Sequence, residues 1–448
     1  MKGMDCLVGT GVNVLLKRGR KLPLSLESKQ HRQGFMRKDV VVLGAGIVGV
    51  SIAVHLQKRG RSVLLIDKRK PGEETSFGNA GLIQREGVYP YGFPHDFGAL
   101  LRYALNNTID AHYHWSAIPK IAPFLLQYWM HSRPAQHKAI ARMYAPLIER
   151  SVTEHMALAE ESGSTHLIRP TGWLKVFRDE KTRDEQLRDA ENVKRDFGVS
   201  FDALDTRGVA EREPHLKVST KGGIHWTDPA TVTDPHLLTM GYVKLFASLG
   251  GELAAGDAKT LEETPTGWRV QTENGPVEAG SVVVALGAWA DVVTKRLGYS
   301  LPLAVKRGYH MHYKPEGNAV LNRPTLDFDR GYFLAPMLKG IRLTTGAEFA
   351  VRDAPKTPVQ LARAEPIARE FFPLGERVDP EPWMGMRPCT PDMMPIIGKA
   401  PRHKNLWFGF GHAHHGLTLG PVTGRLLAEM ITGETPVIDP KPYRVERF

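Results

Sequence analysis

The sequence predicts an α/β protein in which a discontinuous Rossmann-like dinucleotide-binding domain is joined to a second domain of antiparallel strands with a helical insert. Three observations lead there. VVVLGAGIVGVSIAVHLQKRGRSVLLID (Val40–Asp67) has the order strand, glycine turn, helix, second strand and terminal acid. SVVVALGAWA opens with a buried-type strand, Ser281–Ala285, which leads into Gly287 and suits the same sheet. Between Pro302 and Glu348, KRGYHMHY, DRGYFLAP and GIRLTTGAEF alternate with glycine-containing turns, the pattern of antiparallel strands.

In the opening unit, Lys38–Leu43 is a β-branched run typical of a buried parallel strand. Gly44 permits the tight turn and Gly46 lets backbone amides approach a pyrophosphate. Gly49 lets the helix pack closely on the strand. Ala45, Ile47 and Val48 complete the cradle, and the helix N-terminus adds partial positive charge for phosphate. Ile47–Arg59 has apolar residues at helical spacing, with Gly60 placed to end the helix. Ser62–Ile66 reads as the second strand. Asp67, followed by Lys68, stands where a carboxylate accepts hydrogen bonds from a ribose and repels a 2′-phosphate.

A chain of 448 residues, 42% apolar and 24% charged, is long enough for two or three domains with a large core. Its two cysteines, Cys6 and Cys389, form no disulfide framework and point to a reducing, cytoplasmic compartment. No apolar run approaches the roughly 18 residues of a membrane span. The net charge of +11 is partly a property of residues 1–35, which hold seven basic against two acidic residues. Spread over a large body, such charge gives no nucleic-acid footprint, so no nucleic acid is expected as a partner. Residues 1–35 read as a basic, disordered extension, because MRKDVVVLGAGIVG at Met36 looks like a natural beginning.

Farther along, ETSFGNAGLI (Glu74–Ile83) is a loop of small polar residues suited to touching phosphate or a cofactor ring. Arg102–Glu160 reads as a helical layer with buried aromatics. His112 and His114 have ligand-like spacing but no cysteine neighbour, and are expected to be packing or surface residues. Thr165–Phe177 reads as a pair of strands and Thr182–Phe197 as a solvated amphipathic helix. Asp234 and Pro235 mark the N-cap and first turn of a helix closed by Gly250 and Gly251.

The motifs GAGIVG, ETSFGNAG, VVVALGAWA, GMRPCTPDMMPIIG, KNLWFGFGHAHHGLTLGPVTGRLL and GETPVIDP follow one another between Met36 and Pro440. On these motifs the chain resembles the flavin-dependent D-amino-acid dehydrogenases, within the D-amino-acid oxidase and glycine oxidase superfamily. The resemblance implies non-covalent FAD and a substrate domain built on a mixed, largely antiparallel sheet. It places an FAD-binding domain at 36–84, 205–298 and 384–448, and a substrate-binding domain at 85–204 and 299–383. Gly44, Gly46, Gly49 and Asp67 match the ADP-binding positions. Ser76, Asn79, Ala80 and Gly81 match a loop near the flavin. Gly287 and the stretch from Gly411 to Thr418, with His412, Gly416 and Leu417, fall beside the ring. Arg387 matches an arginine that grips the substrate carboxylate, and Tyr332 resembles a tyrosine on a neighbouring strand that contacts substrate.

The implied reaction is hydride transfer from the substrate Cα to flavin N5. The imino acid formed is hydrolysed to a 2-oxo acid and ammonia, and electrons pass to a quinone-like acceptor at the inner face of a bacterial membrane. No side chain is assigned as acid or base. The substrate is a small D-amino or imino acid. Alternatives are a secondary amine such as cis-4-hydroxy-D-proline, sarcosine or an opine, and, more remotely, an RNA-associated flavoprotein. No metal is expected at His412, His414 and His415, since the motif accounts for the loop. Cys389 lies within RPCTPD, away from the position of the covalent flavin link in some sarcosine oxidases, and is expected to be a small buried residue.

Overall fold

The computed structural model describes residues 36–448; the extension expected at 1–35 lies outside the described residues. The opening strand spans Met36–Leu43, the opening helix Ile47–Lys58 and the second strand Val63–Asp67. Their alternation is decisive: Val40 and Val42 face a core beneath the helices, while Val41 and Leu43 face a second core on the other side. Both faces are covered, as a parallel strand requires.

An eight-stranded sheet is built around this unit. Val41 pairs in parallel with Leu64 on one side and with Val282, in the strand Gly275–Val284, on the other. Glu252–Ala255 extends one edge, and Leu406–Phe410 lies parallel to the end of Gly275–Val284 on the other. The closing helix Gly416–Thr432 then packs directly on the opening helix. Glycine permits the contact: a Cβ at Gly424 would sit 2.6 Å from the Ser51 carbonyl carbon and oxygen, and one at Gly420 would sit 3.1 Å from Ile47 Cγ1. Gly424→Ala therefore forces the helices apart and is expected to cost about 1–3 kcal/mol. Urea unfolding measures it, and a wild-type midpoint would show that the helices can slide at no cost.

An eleven-stranded sheet forms the second layer. Its long strand, Ala304–Pro315, pairs antiparallel with Gly340–Thr344, Ala347–Phe349, Leu374–Arg377 and Trp383–Cys389. The helix Val359–Phe371 closes one face over Met311, Tyr313, Tyr332 and Leu343. A three-stranded sheet, Leu82–Ile83, Ala230–Val232 and Ile168–Arg169, lies apart from both. The helix Pro235–Ser248 begins as the sequence predicts, with Asp234 accepting from Leu237 N at 2.9 Å.

Several expectations need correction. Ala111–Tyr113 is a strand paired in parallel with Ala347–Phe349, not part of the helical layer, and Trp115 is exposed. A three-residue strand is too short for periodicity to mark. Thr165–Phe177 does contain two strands, but they join different sheets. The boundaries at 204/205 and 383/384 do not follow the sheets. Phe201–Leu204 and Gly223–Trp226 pair within the eleven-stranded sheet, and Trp383–Cys389 runs along Ala304–Pro315 in it. Which free edge a strand joins is not encoded in its local pattern.

Candidate active site

A cavity of about 1300 Å³ runs from the glycine turn to the eleven-stranded sheet. Small-ligand pockets typically measure about 300–1,000 Å³, so there is room for a large ligand and a small one together. At one end lie Gly44, Gly46, Ile47, Val48, Asp67 and Lys68. Gly44 has φ +106°, and a Cβ there would overlap the Ala285 carbonyl. Gly49 is not on the cavity wall; it meets the Gly44 carbonyl, so its part is the close helix–strand approach. The Asp67 carboxylate accepts from Ala45 N at 2.7 Å and Arg69 N at 2.9 Å, which fixes the strand end to the turn.

The loop after this unit is held from both sides. Ser76 Oγ accepts from Ile47 N at 3.0 Å, bringing the loop against the helix N-terminus. Asn79 Oδ1 accepts from Gly81 N at 2.9 Å, and Gly81 has φ +76°. Ser76, Asn79 and Ala80 face the cavity; Gly81 packs behind them on the Val232 carbonyl. Sequence reasoning missed the residues behind this loop. His310 Nδ1 lies 3.2 Å from the Gly78 carbonyl, and its ring stacks on Trp383. Arg342 donates to the Asn79 carbonyl and, at 2.9 Å, to His312 Nε2, whose Nδ1 lies 2.6 Å from Asp379. Burial, reinforced by the Arg342 charge, holds His312 down to about 4, so it stays a neutral acceptor for the arginine.

At the far end, Gly287, Gly416, Leu417, His412 and His414 line the cavity. Gly411, at φ +82°, and Thr418 lie behind the wall. The Thr418 hydroxyl bridges the Leu82 carbonyl and Gln84 N at 3.2 Å each, stapling the closing helix to the loop strand. The His412 ring is tied to Thr423 Oγ1 at 2.9 Å. His414 instead has a buried Nε2 without a hydrogen-bond partner, and its ring lies 4.1 Å from that of Tyr91. Burial holds His414 well below the usual histidine range, with His415, Arg387 and Lys306 adding to it.

Arg387 sits on the strand Trp383–Cys389 and reaches into the same cavity. Its Nη1 donates to the carbonyls of Arg307 (3.3 Å) and Gly346 (3.1 Å), and no carboxylate among the described residues pairs with it. A Cβ at Gly308 would come 2.5 Å from Arg387 Nη2, so this glycine makes room for the guanidinium. Burial lowers the arginine from its ordinary value. Cys389, two residues on, is buried and also lines the cavity. Lys306, which the sequence did not single out, lies on the same wall with Tyr128 and Phe349.

Tyr332 also lines the cavity, with its hydroxyl already engaged. Its hydroxyl donates to Asp327 Oδ2 at 2.9 Å, where Arg178 also binds, and its ring packs on Phe371. The next residue, Phe333, packed on Trp173, lines the cavity too. His112 and His114 do meet an acid, Glu348, contributed by the paired strand. That carboxylate is already bound to Arg307 Nε at 2.5 Å.

The family model described as FAD dependent oxidoreductase, named DAO, matches residues 39–430, nearly the whole described chain. The chain belongs to this family. A protein named D-amino-acid oxidase from Bradyrhizobium diazoefficiens is 29% identical over 92% of this chain and 99% of its own length. One named D-amino acid dehydrogenase from Granulibacter bethesdensis is 30% identical over 91% of this chain and 99% of its own. Among solved structures, glycine oxidase from Geobacillus kaustophilus superposes with a TM-score of 0.70 at 22% identity, covering 92% of this chain and 99% of that one. L-proline dehydrogenase from P. horikoshii gives 0.69 at 22%, covering 92% and 98%. The family's FAD fits the residues present: one cavity joins a glycine turn and strand-end acid to a second, roomier end. Among the described residues no helix is long and apolar enough to cross a membrane.

Proposed function

We propose that the chain oxidises D-amino acids at Cα, giving a 2-oxo acid and ammonia. The observation that carries the reading is Arg387, a guanidinium in the cavity wall without a carboxylate partner among the described residues. Such a group forms a bidentate pair with a substrate carboxylate and so fixes the orientation of the adjoining Cα–H. The names of the curated relatives favour D-amino acids.

In this reading FAD is held without a covalent link and supplies the hydride-accepting chemistry. Gly44–Gly46 and the helix N-terminus at Ile47 hold its diphosphate, Asp67 its ribose, and Ser76–Ala80 with Gly416–Leu417 the region of its ring. The parallel-sheet layer holds the cofactor and the eleven-stranded sheet the substrate. Aromatic side chains around Arg387, among them Tyr91, Tyr128 and Phe349, limit water at the reacting carbon. Electrons leave to a quinone-like acceptor. Phe97 and Leu101, exposed one turn apart on the helix Phe97–Ala104, with exposed Leu105 just beyond it, supply an apolar surface for peripheral contact with a bilayer.

Anaerobic mixing with a panel of D- and L-amino acids, sarcosine and D-hydroxyproline is expected to bleach the flavin with D-amino acids. Bleaching by the secondary amines alone would replace this reading with theirs. Acid precipitation is expected to release all FAD into the supernatant.

A further inference from the structure

Lys306 and Arg387 stand directly opposite each other on adjacent antiparallel strands. Paired residues in a sheet project from the same face, and here that face is the cavity wall. Lys306 is only 7% exposed. Its Nζ lies 3.8 Å from the centre of the Tyr128 ring and 5.3 Å from that of Phe349, and its nearest polar partner is the Met393 sulfur at 3.9 Å. Arg387 is bound only to backbone carbonyls. Neither forms an ion pair with a carboxylate of the described residues.

This arrangement is costly by itself. Like charges directly opposite on a sheet repel, and a buried cation without an anion loses hydration with nothing in return. Several cations of the described residues are paired with carboxylates, although buried Arg342 is held only by His312 and the Asn79 carbonyl. Arg307, the next residue on the same strand, points to the opposite face and is paired with Glu348 at 2.5 Å. Arg178 is paired with Asp327 and Arg447 with Asp392. Lys306 and Arg387 differ in being two adjacent cations on the cavity wall, with no carboxylate partner among the described residues. One substrate α-carboxylate balances one of these charges; two carboxylates balance both.

We propose that the preferred substrate is a dicarboxylic amino acid, with Arg387 holding the α-carboxylate and Lys306 selecting the second one. The proposal rests on the amine-oxidising reading above and names its substrate class. Lys306 is thus a specificity-determining residue. The aromatic rings and thioether around its ammonium confine it while offering no competing anion.

The test uses the FAD-loaded protein. Flavin absorbance is titrated with inert dicarboxylates (malonate, succinate) and monocarboxylates (acetate, propionate), and kcat/KM is compared for D-aspartate and D-glutamate against D-alanine and D-valine. The wild type is expected to favour the dicarboxylates at least about tenfold in both measurements. Lys306→Met is expected to bring that ratio near unity, and Lys306→Arg to restore most of it. A wild-type ratio near one, or an unchanged ratio in Lys306→Met, would overturn the proposal; the first needs no variant to fold. Selective dicarboxylate binding without bleaching by any D-amino acid would instead refute the amine-oxidising reading and leave the two-anion site standing.

Discussion

Arg387→Ala is expected to leave a folded, FAD-containing protein whose kcat/KM falls by about 10²–10³. Truncating one partner of a buried, hydrogen-bonded charge pair costs about 2–5 kcal/mol, and about 1.4 kcal/mol is a factor of ten. Arg387→Lys keeps the charge but loses the planar fork, so it recovers only part of the loss. The same substitution carries an unusual expectation for stability. Removing Arg387 frees two carbonyls, which would cost about 1–3 kcal/mol each if they stayed dry, but it opens them to the cavity and relieves the cross-strand repulsion with Lys306. The melting temperature should therefore stay level or rise. Steady-state kinetics, flavin content and a thermal melt on one preparation separate the cases. Near-wild-type kinetics would remove Arg387 from the substrate's carboxylate, and loss of flavin with a lower melting temperature would make it a structural residue.

Acid is expected to unfold the protein over a narrow range beginning near pH 6.5. Burial is the first cause in each of the histidines concerned. It holds His155 and His312 down to about 4, His55, His412 and His415 to about 3, His310 to about 2, and His414 well below the usual value. Below pH 6.5 the unfolded chain takes up these protons and the folded chain does not, so stability falls as pH falls. Each group contributes about 1.4 kcal/mol per pH unit. Carboxylates raised by burial act the other way, two of them strongly. Burial raises Glu86 and Glu213 to about 7, so they bind protons in the folded state first and add stability as pH drops from 7 to their unfolded value. Seven groups against two leave the histidines dominant. At a net rate of about 7 kcal/mol per pH unit, a domain with roughly 5–15 kcal/mol of stability loses it within about one to two pH units. Urea midpoints at pH 7.5, 6.5 and 5.5 check this, and a flat series would show that these rings are solvated.

The opening strand, the glycine turn, the first helix and the Asp234 cap are legible in sequence because each is specified within a few neighbouring residues. The residues of the cavity wall are less so. KRGYHMHY shows that Lys306, Gly308, His310 and His312 share one face, but not which face meets the cavity. Arg387 could be picked out by its motif. Its neighbour Lys306 could not, since their adjacency depends on a strand register set some eighty residues apart in the chain. Nor does the sequence show that the Tyr332 hydroxyl is bound to Asp327 on the neighbouring strand. The Arg342–His312–Asp379 group joins two distant strands and a loop, and no local signal marks it.

The packing of the closing helix on the opening one also sets an order of events during synthesis. A growing chain that has emerged only as far as residue 405 leaves the Val282–Val284 edge without its Leu406–Phe408 partner. Ile47 and Ser51 then lack the glycines that cover them. Such a nascent chain holds a glycine turn able to touch a diphosphate but only part of the wall for a ring. Contacts between residues this distant form late and leave apolar surface open meanwhile. Cofactor capture is thereby tied to emergence of the strand from Leu406 and of the closing helix, and a ribosome stalled before residue 406 should carry a chain without bound flavin.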